Sequence, residues 1–365
     1  MPNETIAREP PADRTLYALQ AGRGIAAMAV VVRHATQALE NEGFSIPHAL
    51  AVIGNFGYLG VDFFFVLSGF IIYYVNHDRV GQPLFAQSYL RSRLVRIYVP
   101  YLPIGIAVAL AYLTIGRNAA GADDWSWFST LTLLPSLGRP ALALAWTLQH
   151  EVIFYVVALA CFLSRKFILS SIVLSLAVLA YGLSYMDDVK SMGLVDLEFL
   201  FGIVAAWCFV KRRGPNNPAL IIAGVAFLGL YIWIDNRFYS VVFGLGLALL
   251  ILPIVRLEHA GALAIGPVLK LFGNASYAIY LVHYPLVNNL ARRVQGMDSL
   301  QLWAMLIIVS ALAGIAYHKL FEAPALRWIR PWMARRSHAS ALQKAGRAEQ
   351  PAPSTSGTAS PDRGS

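Results

Sequence analysis

Long apolar stretches separated by short polar segments make up most of the chain from residue 16 onwards. A transmembrane helix needs ~20 mostly apolar residues, and most of these stretches approach or exceed that length. The pattern therefore predicts an all-α fold, a polytopic membrane helix bundle with about ten transmembrane helices. The predicted spans lie near residues 16–38, 51–75, 95–116, 142–163, 168–186, 194–210, 218–235, 239–256, 271–291 and 300–320.

One short apolar segment and the polar ends of the chain fall outside these spans. Residues 125–137 are too short to cross a bilayer, and their two tryptophans favour an interfacial or re-entrant position. Residues 1–15 form a polar segment without the pattern of a cleavable signal peptide. Residues 334–365 are rich in Ala, Ser, Pro and Gly, and we expect a disordered tail there. The membrane domain is thus predicted over residues 16–333.

The overall composition supports a membrane protein. Of the 365 residues, 57% are hydrophobic and 13% are charged, whereas soluble domains carry roughly 25% charged residues. Cys161 and Cys208 both lie in apolar stretches without a CxxC pattern, so neither a disulfide framework nor a metal site is predicted. No Walker, GxSxG or HExxH pattern occurs, which leaves nucleotide hydrolysis and zinc proteolysis unsupported.

The distribution of positive charge predicts the orientation of the chain. The net charge of +9 could indicate a nucleic-acid partner, but the basic residues occur in short clusters between apolar stretches, so we expect none. Alternate loops differ in their Lys and Arg content, and the positive-inside rule assigns the richer set to the cytoplasm. Both termini are therefore predicted to be cytoplasmic, as an even number of spans requires. The richer set comprises Arg79, Arg91, Arg93, Arg96, Arg165, Lys166, Lys211, Arg212, Arg213, Arg256, Lys270, Arg327, Arg330, Arg335 and Arg336.

The first predicted span contains polar residues that are costly in hydrocarbon. Each charged side chain there costs at least ~2.5 kcal/mol. Arg23 and His34 are eleven residues apart, about three helical turns, so both lie on nearly the same face, ~16 Å apart along the axis. A cation towards the cytoplasm and an imidazole further out suit a substrate that enters from inside and reacts deeper in the membrane. Alternatively, Arg23 reaches the inner headgroups, His34 only packs, and Arg33 reaches the outer interface.

Two further segments carry candidate chemistry. Asp62 is the carboxylate of GYLGVDFFFVLSGF, followed by Ser68, and it is either functional or paired with a cation of the first span. In YLRSRLVRIYVPYL, Arg93 and Arg96 are three residues apart and hence near neighbours on a helix. Paired guanidiniums suit a phosphate-bearing ligand, although ordinary positive-inside charge gives the same pattern.

Later segments add three isolated polar positions. Glu151 follows His150 in AWTLQHEVIFYVV, but adjacent helical residues point in different directions. His283 precedes Pro285 by two residues in FGNASYAIYLVHYPL, where the proline is expected to kink the helix. Glu322 in HKLFEAPALRW is expected to pair with a nearby Arg or Lys near the cytoplasmic side.

In this order, the segments resemble the acyltransferase 3 family of integral membrane O-acyltransferases. The resemblance extends over about residues 16 to 328, and the chain looks like the stand-alone, exopolysaccharide-modifying branch of the ExoZ type. It is carried by LQAGRGIAAMAVVVRHA, GVDFFFVLSGFII, RLVRIYVPYL, AWTLQHEVIFYVV, FGNASYAIYLVHYPL and FEAPALRW.

The resemblance implies a multi-pass enzyme of the bacterial inner membrane. It would move an acyl group, usually acetyl from cytoplasmic acetyl-CoA, to a hydroxyl of an exported polysaccharide or lipid-linked sugar. Its partners would be acyl-CoA, the glycan or lipid-linked oligosaccharide acceptor, membrane lipids and polysaccharide biosynthesis proteins. The implied roles are catalytic for His34, Glu151 and Asp62, donor-binding for Arg23, Arg93 and Arg96, and acceptor-binding for Ser68, His283 and Trp146.

A secondary transporter for an anionic solute, or a flippase for a lipid-linked one, is the alternative. About ten spans with intramembrane charges fit such a protein as well. Many transporters are built from repeated halves, and GVDFFFVLSGF has no counterpart in the second half of this chain. The sequence therefore favours the enzyme.

Overall fold

The computed structural model describes residues 15–83, 85–115, 124–136, 138–185, 187–211, 219–234, 240–294, 296–329 and 331. Within these ranges the regular elements are all helical, with one isolated bridge between Trp125 and Arg139. The all-α prediction is therefore confirmed. The predicted disordered tail and nearly all of the polar N-terminal segment lie outside the described residues.

Each predicted span coincides with a helix, and the span near 51–75 coincides with two helices joined by a short 3₁₀ segment, Phe56–Tyr58. A π-helical turn, His318–Glu322, follows the last of these helices. The helices are α1 Tyr17–Asn41, α2 His48–Asn55, α3 Leu59–Asn76, α4 Phe85–Ile115, α5 Trp127–Thr132, α6 Trp146–Leu163, α7 Phe167–Tyr185, α8 Asp187–Val210, α9 Ala219–Ile234, α10 Ser240–His259, α11 Pro267–Arg293 and α12 Ser299–Tyr317.

Five helical segments of the described residues are long and apolar enough to cross a membrane. Helices α1 and α11 are long but carry more polar side chains, and α7, α8 and α9 contain shorter apolar segments. The count of ten spans and the cytoplasmic termini remain predictions. The five segments are His48–Arg79, Phe85–Thr114, Ala143–Leu163, Val241–His259 and Ser299–Ile329.

Helix α1 packs against α3, α11 and α12, and glycines bring its backbone close to α11. A Cβ atom on Gly24 would lie 2.8 Å from the backbone nitrogen of Gly273, and one on Gly273 would overlap the carbonyl oxygen of Gln20. Small residues at such crossings let helix backbones approach closely.

The start of α1 is fixed by Glu258, whose carboxylate accepts hydrogen bonds from the backbone N–H groups of Tyr17 at 2.6 Å and Ala18 at 3.0 Å. These bonds satisfy donors that a helix end otherwise leaves open.

Helices α3 and α8 also meet at backbone distance. A Cβ on Gly202 would overlap the carbonyl oxygen of Val66, and one on Gly69 would overlap that of Phe199. Beside this crossing the rings of Phe154 and Phe199 stack with centroids 3.7 Å apart. This core holds α3 and α6 in a fixed relation, and both helices carry residues of the site described below.

We expect Gly202→Ala to lower the stability of the detergent-solubilised protein by about 1–3 kcal/mol, because the added methyl group forces α3 and α8 apart. Thermal unfolding measures this directly. Gly229→Ala is the matched control, because no atom lies within 4 Å of a Cβ placed on Gly229 in α9. Equal thermal stability of the Gly202→Ala and native proteins would contradict the close packing of α3 on α8.

Candidate functional site

A cavity of about 840 Å³, a volume that includes its open mouth, lies between α1, α3, α4, α6 and α11. Its walls are mostly apolar, and a small set of polar side chains projects into it, as in typical ligand sites. The polar lining residues are Arg23, Ser68, Arg93, Arg96, Thr147, Glu151, Tyr155, Tyr277 and Tyr280.

Three arginines supply positive charge to the cavity. The Nε atoms of Arg23 and Arg93 are buried and have no hydrogen-bond partner among the described residues. The guanidinium of Arg93 also lies over the ring of Tyr155, 5.9 Å from its centroid, whereas Arg96 is exposed. A buried donor that is left unsatisfied costs about 1–3 kcal/mol. The two Nε–H groups therefore indicate a ligand that brings hydrogen-bond acceptors.

Glu151 lies in the same cavity and binds two hydroxyl groups. The Ser68 hydroxyl donates to its Oε1 at 3.3 Å, and the hydroxyl of Tyr155, one helical turn further along α6, donates to the same oxygen. The charges of Glu151 and Glu322 lie close enough to Arg23 to balance part of its charge. The carboxylate is thus positioned both to offset the arginines and to accept a hydrogen bond from a bound molecule.

His34 and His283 form a hydrogen-bonded pair, with Nδ1 of His34 3.0 Å from Nε2 of His283. His283 is fully buried, and its Nδ1 lies 3.0 Å from the carbonyl oxygen of Ile279. The rings of His34 and Tyr284 pack nearly perpendicular to each other, with centroids 5.1 Å apart. These contacts hold both imidazoles in one orientation.

The histidine pair lies one residue layer beyond the lining of this cavity. Tyr280 lines the cavity, and its ring centroid is 5.8 Å from that of His283. Its hydroxyl is 2.8 Å from Oγ1 of Thr147, a second lining residue. Tyr280 therefore contacts both the arginine-lined cavity and the histidine pair.

The structure brings Arg23, Ser68, Arg93, Arg96 and Glu151 to one cavity and joins His34 to His283. Neither Asp62 nor Trp146 is among the lining residues of that cavity.

Asp62 is buried in the first turn of α3. Trp146 begins α6 and is 42% exposed, with its ring edge-on to His150. The guanidinium group of Arg33 donates a hydrogen bond to the side-chain oxygen of Asn55, at the end of α2.

The tyrosines of the site were not singled out from the sequence. Tyr155 follows Glu151 by four residues and Tyr280 precedes His283 by three, so each shares a helix face with a predicted site residue. That spacing is the signal that could have identified them. Glu322 bonds to His318 at 2.8 Å inside the π-helical turn, so its observed hydrogen-bond partner is a histidine of its own helix.

Comparisons with known proteins agree with the resemblance. The acyltransferase domain profile of the acyltransferase 3 family matches residues 16–318. The exopolysaccharide production protein ExoZ of Rhizobium meliloti (strain 1021) is 29% identical over 290 residues, which cover 74% of this chain and 90% of that protein. No solved structure is detectably similar to the chain. Because the family profile covers most of its length, the chain belongs to the acyltransferase 3 family.

Proposed function

We propose that the protein is an O-acyltransferase of the bacterial inner membrane that moves an acetyl group from cytoplasmic acetyl-CoA to a hydroxyl of an exopolysaccharide or its lipid-linked precursor. One observation carries the proposal. Arg23 and Arg93, whose buried Nε–H groups have no partner among the described residues, line a cavity that lies next to a histidine pair. Family membership and the similarity to an exopolysaccharide production protein support the reaction class and the acceptor. In this proposal ten helices cross the membrane and both termini are cytoplasmic.

The arginines bind the donor. Coenzyme A carries phosphate groups, and planar guanidinium groups bind phosphate oxygens with paired hydrogen bonds. Arg96 is exposed and marks the open side of the cavity, which faces the cytoplasm under the predicted orientation. Arg23 and Arg93 lie deeper in the cavity. Their N–H groups can therefore donate hydrogen bonds to oxygen atoms of acetyl-CoA that lose their contact with water on binding.

His34 activates the acceptor. It takes the proton of the acceptor hydroxyl while that oxygen attacks the thioester carbonyl, and the thiolate of coenzyme A then leaves and is protonated. A positioned base of this kind contributes typically ~10²–10⁴-fold to the rate. Ser68 and Glu151 bind polar groups of the substrates in the cavity. Asp62 and Trp146 act on the acceptor side, and polysaccharide biosynthesis proteins supply the acceptor.

Replacing the base should abolish transfer. We expect His34→Ala to reduce transfer of labelled acetyl groups from acetyl-CoA to cell-envelope glycan by ~10²–10⁴-fold, in membranes with matched expression. His48→Ala, an exposed histidine at the start of α2, is the control and should retain native activity.

Transfer at the full rate in His34→Ala would exclude His34 as the base. If the native protein neither transfers acetyl groups nor binds acetyl-CoA in detergent, where no gradient exists, the transporter or flippase becomes the better interpretation.

The phosphate-binding role of the arginines can be separated from a general structural role. We expect Arg93→Gln to weaken acetyl-CoA binding by about tenfold or more, since a hydrogen bond to a charged group contributes ~1.5–3 kcal/mol. The same substitution should leave the binding of acetyl-pantetheine, which lacks the phosphates, almost unchanged.

Calorimetry on the solubilised protein with both donors measures the two affinities. Arg165→Gln, at an exposed arginine between α6 and α7, is the matched control. An equal loss of affinity for both donors in Arg93→Gln would contradict phosphate binding by Arg93.

A further inference from the structure

We infer that His283 is a positioning residue that acts through His34 as a hydrogen-bond acceptor. It holds Nδ1 of His34 in the protonated form and thereby leaves Nε2 of His34 free to take the proton of the acceptor hydroxyl. The inference rests on the proposed function, in which His34 is the base. It replaces the expectation that His283 contacts the acceptor, and it adds an orienting group for the imidazole that the sequence pattern did not show.

The proton position on His283 follows from its first hydrogen bond. Its Nδ1 lies 3.0 Å from the carbonyl oxygen of Ile279, and a carbonyl oxygen can only accept. Nδ1 of His283 therefore carries a hydrogen. The side chain is fully buried, and among the described residues its hydrogen bonds are to His34 and to the backbone carbonyl of Ile279, so a charged imidazolium would be uncompensated. A neutral imidazole has one N–H group, which leaves Nε2 of His283 as an acceptor.

The proton position on His34 follows in turn. Its Nδ1 is 3.0 Å from the bare Nε2 of His283, so Nδ1 of His34 must be the donor. Neutral His34 therefore has its lone pair on Nε2, where a base needs it.

The arrangement also favours the charged form of His34 during the reaction. When Nε2 takes the hydroxyl proton, the bond from Nδ1–H to His283 becomes charge-assisted and therefore stronger. The proton cannot leave the histidine pair along this path, because the hydrogen-bond chain ends on the carbonyl of Ile279, which has no proton to pass on and cannot hold one. It stays on His34 because an imidazolium at buried His283 would be uncompensated. His34 instead returns its proton to the departing thiolate, so the products are the ester and coenzyme A with a free thiol.

Two substitutions of His283 separate the acceptor role from packing. The amide oxygen of Gln reaches about as far as Nε2 of histidine and can accept from His34. Asn ends one bond earlier, so it can bond to the carbonyl of Ile279 but cannot reach His34. We expect His283→Asn to lower kcat by about 10- to 100-fold, as when the outer hydrogen-bond partner of a metal-bound histidine is removed. Its KM for acetyl-CoA should stay unchanged, and His283→Gln should restore most of kcat.

The native protein and His34→Ala are assayed beside these variants. The results then distinguish a failure of the proposed function from a failure of the role assigned to His283. Absence of transfer by the native protein, or full transfer by His34→Ala, would overturn the proposed function. With native transfer and an inactive His34→Ala, native kcat in His283→Asn would overturn the role of His283. An equally low kcat in His283→Asn and His283→Gln, with thermal stability intact, would also overturn it, because Gln supplies the acceptor.

A spectroscopic measurement tests the inference without relying on folded variants of His283. In native protein labelled with ¹⁵N at histidine, nitrogen shifts distinguish a protonated from a bare ring nitrogen, and the His34 signals are those lost in His34→Ala. We expect a protonated Nδ1 and a bare Nε2 on His34. The opposite tautomer would overturn the inference whatever the activities are.

Discussion

The close approach of α1 and α11 is the constraint on which the site depends. Gly24 meets Gly273, and ten residues later in both helices His34 meets His283. Because the second contact lies ten residues after the first in both helices, α1 and α11 run in the same direction and stay in register over ~15 Å. A side chain at either glycine would separate the backbones and with them the imidazoles. The same direction for α1 and α11 also agrees with the ten-span prediction, in which these helices are the first and the ninth span.

The buried arginines beside this helix pair are only partly compensated by neighbouring carboxylates and hydrogen-bond acceptors. Arg23 is offset by Glu151 and Glu322, and Glu151 in turn binds the hydroxyls of Ser68 and Tyr155. Within the part of the chain that the structure describes, the Nε–H groups of Arg23 and Arg93 still lack acceptors. Polar groups in a low-dielectric interior are costly when unpaired, and they bind strongly when a ligand completes them. An anionic donor would therefore bind this cavity and, by doing so, stabilise it.

The helices and the site were predictable from the sequence to different extents. Apolar stretches predicted the positions of the long helices, because the length of an apolar stretch can be read from consecutive residues alone, but the break between α2 and α3 was not predicted. The polar face of α1 was also predictable, since Arg23 and His34 share a face by helix periodicity. The partner of His34 was not, because His283 is 249 residues away and periodicity relates only residues of one helix. For the same reason the sequence did not predict the hydrogen-bond partners of Glu151, which are Ser68 and Tyr155.

The separation of the two groups of residues constrains the proposed reaction. In that reaction His34 must reach both the acceptor hydroxyl and the thiolate that leaves, yet it is not among the residues that line the cavity with the arginines. Tyr280 contacts both groups, since it lines the cavity and its ring centroid lies 5.8 Å from that of His283. The thioester end of the donor would therefore have to lie beside Tyr280, where an acceptor hydroxyl can meet the thioester and His34 together.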